Sequence, residues 1–150
     1  MLNNYYLTRA FLFVVPNLPI TQTKMLKVII AGSRDFNNYK LLEECVGKCL
    51  QRYTVADQLE IVSGGARGAD RLVERYAKER AITLKIIPAD WNQYGKSAGY
   101  KRNAEMAEYA THCIAFWDGI STGTGHMIDL AKRHNLALRV VPIIKQRIIR

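Results

Sequence analysis

A strand, a glycine-rich turn and the start of a helix follow one another directly in residues 61–70. Two β-branched residues precede the glycines, and apolar residues then recur at i, i+3, i+4 and i+7 from Ala69. Such a turn brings backbone close to a ligand, and the start of a helix attracts anions. Arg67 adds a forked guanidinium donor. The pattern favours a phosphate-binding turn over an ordinary βα turn, although its glycine spacing matches neither the dinucleotide-binding nor the NTPase loop.

Strand and helix patterns alternate along the rest of the chain. Apolar runs predict five strands, at about residues 26–31, 59–63, 82–87, 112–116 and 136–144. Helical patterns separate them, which predicts an α/β fold with a mainly parallel sheet and helices on both faces. In such sheets ligands bind beyond the carboxyl ends of the strands, where the strand order reverses.

Three turns are expected to converge at that edge, at residues 32–35, 63–70 and 118–125. A loop at 88–99 carries Trp91, Tyr94 and Lys96, which favours a functional loop, although Trp91 packed down as an anchor for the loop is the alternative. The helix after it has Lys101, Arg102 and Asn103 in its predicted first turn. Cations are unfavourable there unless they serve an anion, although a solvated surface is the plain alternative. The candidate ligand-binding residues are Gly32, Ser33, Arg34, Ser63, Gly64, Gly65, Arg67, Gly68, Asp70, Lys101, Arg102, Asn103, Asp118, Ser121, Gly123 and Thr124.

The net charge of +9 is concentrated near the C-terminal end, where residues 132–150 carry six basic residues and no acidic one. A basic tail at 145–150 can hold nucleic-acid phosphates or simply be solvated. Residues 1–24 match no motif and are expected to be an extension outside the core, either an extra strand, a disordered arm or an upstream addition before Met25. Residues 25–144 are predicted to form one domain.

Three cysteines, an odd number without framework spacing, indicate a reducing, cytoplasmic setting. Cys45 and Cys49 share a helix face with apolar residues, so core packing is favoured over metal binding and no metal site is expected. No apolar run approaches the roughly 18 residues that a membrane helix needs, so no membrane partner is expected.

Several motifs occur together and in order. They are Gly32-Ser33-Arg34-Asp35-Phe36, residues 63–70, Ala89-Asp90-Trp91, Tyr94-Gly95-Lys96, Arg102-Asn103 with Met106, and Asp118-Gly119 with Ser121 and Gly123-Thr124. The combination resembles the YspA-like branch of the SLOG superfamily, which is related to the Lonely Guy phosphoribohydrolases and to DprA. The resemblance covers about residues 26–141. It implies a Rossmann-like three-layer sandwich that binds a nucleotide or nucleotide-derived ligand, such as a nucleoside monophosphate, ADP-ribose or NAD. Related proteins are proposed as ligand sensors in bacterial and phage conflict systems.

The sequence departs from the hydrolase relatives at one position. Their catalytic glutamate follows the Gly-Thr pair after two residues, and this chain has Met127 there, while Arg102 still fits the arginine of their pattern. Helical phase also places Met127 with Leu130, Ala131 and His134 against the sheet. Hydrolysis of a nucleotide N-glycosidic bond therefore stays an alternative to ligand binding, as does DprA-like binding of nucleic acid, and a homo-oligomer fits each of them. The weak catalytic candidates are Arg102, Asp90, Asp118 and His126.

Overall fold

The computed structural model describes residues 25–51 and 58–144. The strands are β1 Leu26–Gly32, β2 Leu59–Ser63, β3 Thr83–Ile86, β4 His112–Trp117 and β5 Ala137–Pro142. The helices are α1 Tyr39–Leu50, α2 Ala69–Glu79, α3 Trp91–Tyr94, α4 Ala98–Tyr109 and α5 Thr122–Arg133, with a 3₁₀ turn at Gly95–Ser97. The predicted extension at 1–24 and basic tail at 145–150 lie outside the described residues, so both stay predictions.

These strands form one parallel sheet in the order β3-β2-β1-β4-β5. In the centre, Ile29 of β1 stands in register with Val62 of β2 and with Cys113 of β4. The five-stranded parallel α/β sheet predicted from the alternating pattern is confirmed. After β3 the chain crosses back over the sheet to place β4 on the other side of β1. The strand order therefore reverses between β1 and β4, and a crevice is expected beyond their carboxyl ends.

Neighbouring residues of β1 bury their side chains on opposite faces of the sheet, because side chains alternate along a strand. Ile30 belongs to the core layer shared with α1 and α2, which contribute Leu42 and Val73 among others. Ile29 belongs to the layer shared with α4 and α5, which includes Met106 and Ile128. Both faces are covered, so the fold is the Rossmann-like three-layer sandwich that the resemblance implies.

Asparagine residues lie at one end of α1 and at one end of α5. The Asn38 side chain accepts a hydrogen bond of 3.0 Å from the Leu41 amide and caps α1. Asn135 takes a left-handed conformation, with φ of 54°, directly after the residue that caps α5. His134 is that C-cap residue and is exposed, so its predicted place on the inner face is wrong: the helix ends at Arg133 before His134 can turn inward.

The segment at 88–99 is more ordered than a single loop. Asp90 caps the short helix α3, and α4 already begins at Ala98. Lys101 is thus the fourth residue of α4, and Arg102 and Asn103 lie in its second turn. The prediction of a first-turn position is wrong for Arg102 and Asn103, so the argument about cations at a helix start does not apply to Arg102.

All three cysteines are buried in the core, as their apolar neighbours predict. Burial raises the pKa of Cys49 to about 11 and that of Cys113 to about 12, so both thiols stay protonated at neutral pH. Within residues 25–51 and 58–144, no helix combines the length and the apolar character that crossing a membrane requires.

Gly68 lets the turns after β1 and β2 touch. Its φ is +72°, and a Cβ there would collide with the backbone of Ser33 and Arg34. Gly95 also has a positive φ, of +54°, but a Cβ there meets nothing within 4 Å. Comparing the same substitution at the two positions therefore distinguishes the cost of backbone strain from the cost of a collision with backbone.

We expect Gly68→Ala to destabilise the fold more than Gly95→Ala. Both carry conformational strain of about 1–3 kcal/mol, and only Gly68→Ala adds overlap with backbone, worth about 1–3 kcal/mol more. The free energies of unfolding come from urea titrations of both variants and the wild type. Equal losses would show that the two turns separate at little cost.

Candidate functional site

A cleft of about 470 Å³ lies at the edge of the sheet formed by the carboxyl ends of the strands. One wall comes from the turns after β1 and β2, and the other from α4 and the start of α5. Met106 and Met127, both buried, supply apolar surface between them. The position is the one expected from the reversal of strand order between β1 and β4.

Most of the predicted ligand-binding residues lie around this cleft. Those lining it are Gly32, Ser33, Arg34, Gly64, Arg67, Asp70, Arg102, Asn103, Ser121, Gly123 and Thr124. Ser63, Gly65, Gly68, Lys101 and Asp118 do not line it. Ser63 is completely buried, and the Nζ of Lys101 lies 4.3 Å from the ring centroid of Tyr94.

The glycine-rich turn satisfies much of its own backbone. The Asp70 carboxylate accepts a hydrogen bond of 3.0 Å from the Ala66 amide, and the Ser63 hydroxyl accepts one of 3.2 Å from the Gly65 amide. The Ala69 amide donates to the carbonyl of Ser33 at 3.3 Å. Three amides that could hold an anion are therefore already engaged. The predicted role of this turn in phosphate binding now depends mainly on the Arg67 side chain, which is exposed and lines the cleft.

Arg102, which belongs to α4, donates a hydrogen bond to the same turn. Its Nη1 donates to the Gly64 carbonyl at 2.5 Å, and its Nε donates to the Asn103 side chain at 3.1 Å. Burial lowers the pKa of Arg102 and the charge of Arg34 acts in the same direction, while Asp70 partly offsets both. Burial also raises the pKa of the Asp70 carboxyl, against the stabilising Ala66 amide and the Arg102 charge. In both residues burial outweighs the attraction between the two charges.

Asp118 orders the backbone that leads into α5. Its carboxylate accepts hydrogen bonds from the amides of Ile120 and Ser121 at 2.9 and 2.8 Å, which lowers the pKa of Asp118. The next three residues, 122–124, line the cleft. Amides in the first turn of a helix have no acceptor within the helix, so this end of α5 turns partial positive charge toward the cleft.

The four catalytic candidates fall in different places. Arg102 lines the cleft, whereas Asp90, Asp118 and His126 do not. Asp90 accepts a hydrogen bond of 2.9 Å from the Gln93 amide, and Asp118 is engaged at the start of α5. His126 lies 3.3 Å from the Asn103 side chain, and burial lowers its pKa. Of the carboxylates described, those lining the cleft are Asp35 and Asp70.

Sequence reasoning missed part of the cleft wall. Asp35, Ala66, Trp91, Lys96, Gly99, Tyr100, Met106, Thr122 and Met127 also line it, with Ala31. The signal for Trp91 and Lys96 was present, because both lie in the aromatic and charged segment noted at 88–99. Met127 was interpreted as core and Met106 only as part of the family motif, since a helix position gives no sign that one end of a buried side chain reaches a cleft. Among the described residues, no three His, Cys, Asp or Glu side chains are grouped as metal ligands.

We expect the contribution of Asp70 to stability to grow as the pH falls. Its pKa is raised in the folded chain, so between the ordinary value of 3.8 and the raised value only the folded chain holds the proton. The stability of the wild type relative to Asp70→Asn should therefore increase from neutral pH downward. Asp118→Asn is the matched control: because the pKa of Asp118 is lowered, its contribution should be lost as the pH falls. Urea titrations at a series of pH values measure both differences, and the same sign in both would contradict the burial argument.

The sequence of the chain is similar to one protein family and to a phage protein. The family described as the YspA, cpYpsA-related SLOG family matches residues 26–94. The gene 61 protein of Mycobacterium phage D29 is 36% identical over 115 residues, which cover 73% of this chain and 90% of that protein.

Solved structures show the same fold at low identity. DNA processing protein A of Streptococcus pneumoniae is 17% identical with a TM-score of 0.63, over 85% of this chain and 53% of that chain. The chain thus spans about half the length of that protein. DNA processing protein A of Helicobacter pylori, whose structure concerns its binding of single-stranded DNA, is 21% identical with a TM-score of 0.55, over 84% of this chain and 68% of that chain. With its match over residues 26–94 and its phage relative, the chain belongs to the YspA, cpYpsA-related SLOG family.

Proposed function

We propose that the chain binds a nucleotide or nucleotide-derived ligand in the cleft. The observation that carries the proposal is the set of cations there: Arg34, Arg67, Arg102 and Lys96 line the cleft with two carboxylates, one of which is the engaged Asp70. An excess of guanidinium groups in a concave site favours a ligand that brings negative charge. A nucleoside monophosphate, ADP-ribose or NAD supplies that charge.

Arg34 and Arg67, like Lys96, are open to a ligand. Both side chains are exposed, whereas Arg102 is half-buried and bonded to the Gly64 carbonyl. Within the described part of the chain, Arg67 takes part in no ion pair. The start of α5 faces the same space and adds its partial positive charge. The volume of about 470 Å³ suits a small molecule, since ligand sites run from roughly 300 to 1,000 Å³.

Hydrolysis of a nucleotide is the weaker proposal for this site. Cleaving the bond between base and sugar needs an acid or base at the reacting atoms. Met127 stands at the position of the expected glutamate, is 2% exposed, and carries no proton to transfer. The carboxylates of Asp90 and Asp118 are engaged by backbone amides outside the cleft lining. These placements support binding, and a role as a ligand sensor, over turnover.

Binding of single-stranded DNA, as in the Helicobacter pylori relative, is also weaker here. Its main support in this sequence is the basic tail at 145–150, which lies outside the described residues. A likeness of 21% identity carries the fold and not the partner.

We expect Arg67→Ala to weaken nucleotide binding by about ten- to a hundredfold without unfolding the chain, because a hydrogen bond to a charged group is worth about 1.5–3 kcal/mol. A thermal-shift panel of AMP, CMP, ADP-ribose and NAD first identifies a ligand, and calorimetry then gives its dissociation constant. Arg71→Ala is the control, since Arg71 pairs with Glu74 on the exposed side of α2, outside the cleft lining. An unchanged constant for Arg67→Ala would contradict its role in binding.

We expect little or no release of free base from AMP, IMP, CMP or a cytokinin monophosphate. Loss of general acid–base catalysis typically costs about 10²–10⁴-fold in rate. Chromatography of each incubation quantifies the base, with a Lonely Guy phosphoribohydrolase as the positive control. Turnover comparable to that control would overturn the assignment of the cleft to binding alone.

A further inference from the structure

Trp91 stands exposed at the rim of the cleft. The indole is 50% exposed, although tryptophan usually buries most of its large apolar surface. It is therefore not the buried anchor of its segment. A Cβ on Gly99 would lie 3.5 Å from Cη2 of Trp91, so the far end of the indole rests against the beginning of α4. Both residues line the cleft.

The short helix that carries Trp91 is held by its own hydrogen bonds. Asp90 caps its start through the Gln93 amide, and the Gly95 amide donates back to the Trp91 carbonyl. Beyond its end, the Ser97 hydroxyl donates to the Tyr94 carbonyl at 2.8 Å. A side chain on a backbone fixed in this way loses little conformational freedom when it binds, which favours recognition of a rigid, flat partner.

A guanidinium group from the opposite wall faces the indole. The Cζ of Arg34 lies 5.7 Å from the centroid of the Trp91 ring, close to the outer limit of a cation–π contact. Arg34 belongs to the turn after β1 and Trp91 belongs to α3, so the cleft brings together two segments that are distant in sequence. Aromatic rings and arginine planes are the two surfaces on which proteins stack nucleic-acid bases.

We propose that Trp91 stacks on the base of the bound nucleotide, with Arg34 beside it, while the ligand's phosphate meets Arg67 and Arg102, which also line the cleft. The inference rests on the proposed function and narrows it to ligands with a planar aromatic base. It excludes base-free sugar phosphates as the preferred ligand. It also makes Trp91 a determinant of specificity and Arg67 a determinant of charge recognition.

The surroundings favour one base over a strand of several. Single-strand binding surfaces stack successive bases on successive aromatic side chains. Tyr94 has its ring covered by Lys101 and does not line the cleft, and Tyr100 packs edge-on to His126, with centroids 4.6 Å apart. Of the aromatic side chains lining the described cleft, Trp91 is the one paired with a cation from the facing wall.

The test compares AMP with ribose 5-phosphate, which lacks the base. Trp91→Ala should weaken AMP binding by about 5- to 150-fold, the range that base–aromatic stacking spans, and leave ribose 5-phosphate binding unchanged. Trp91→Phe should retain most of the AMP affinity. AMP should quench the tryptophan fluorescence of the wild type and not that of Trp91→Phe. Tyr94→Ala is the matched control, an aromatic of the same helix outside the cleft lining, and should bind both compounds as the wild type does.

Other outcomes overturn the inference in distinguishable ways. A wild type that binds neither compound, and none of CMP, ADP-ribose and NAD either, contradicts the proposed function, and the stacking with it. Binding of AMP no tighter than ribose 5-phosphate, or unaffected by Trp91→Ala, contradicts the stacking alone. Equal loss of both compounds in Trp91→Ala means that the indole only supports the cleft wall. Tighter binding of oligothymidylate than of AMP assigns Trp91 to a nucleic-acid surface instead.

Discussion

The close contact between the turn after β1 and the turn after β2 determines the shape of the site. The Ala69 amide donates to the Ser33 carbonyl, and Gly68 leaves no room for a side chain between the two backbones. Arg34 and Arg67 are carried by these two turns, so their separation depends on that contact. Two like charges repel at short range. The backbone contact keeps both on one wall, where a ligand with negative charge can meet them together.

Buried charge supports this wall from behind. Asp70 and Arg102 both lie next to Gly64, where Asp70 accepts from the Ala66 amide and Arg102 donates to the Gly64 carbonyl. Each loses solvation, as the shifts of their pKa values show. Removing one partner of such a pair generally costs more than the pair contributes, because the other is left buried without compensation. Asp70 and Arg102 therefore support the glycine turn and also line the cleft.

The order of strands, turns and helices can be predicted from the sequence better than the hydrogen bonds that its polar side chains make. Apolar runs such as residues 26–31 identify buried parallel strands, and the glycines at 64, 65 and 68 identify a tight turn. The internal engagement of Asp70 was not predictable, since an acid at the start of a helix can serve a cap, a ligand or its own turn. The helix boundary before Lys101 and the exposure of His134 depended on one turn more or less of helix, which apolar spacing does not resolve.

Because β1 is the central strand and pairs with β4, the cleft is expected to form late during folding. The first three strands pair with neighbours in sequence, but β1 meets β4 only across 84 residues, where the Lys27 amide finds the Thr111 hydroxyl. Contacts so distant along the chain close after local ones, because the loop between them must be ordered first. Nine of the 21 residues that line the cleft belong to α4 and α5, which lie on either side of β4 in the chain. A ligand that binds only the finished cleft would therefore slow unfolding without accelerating folding.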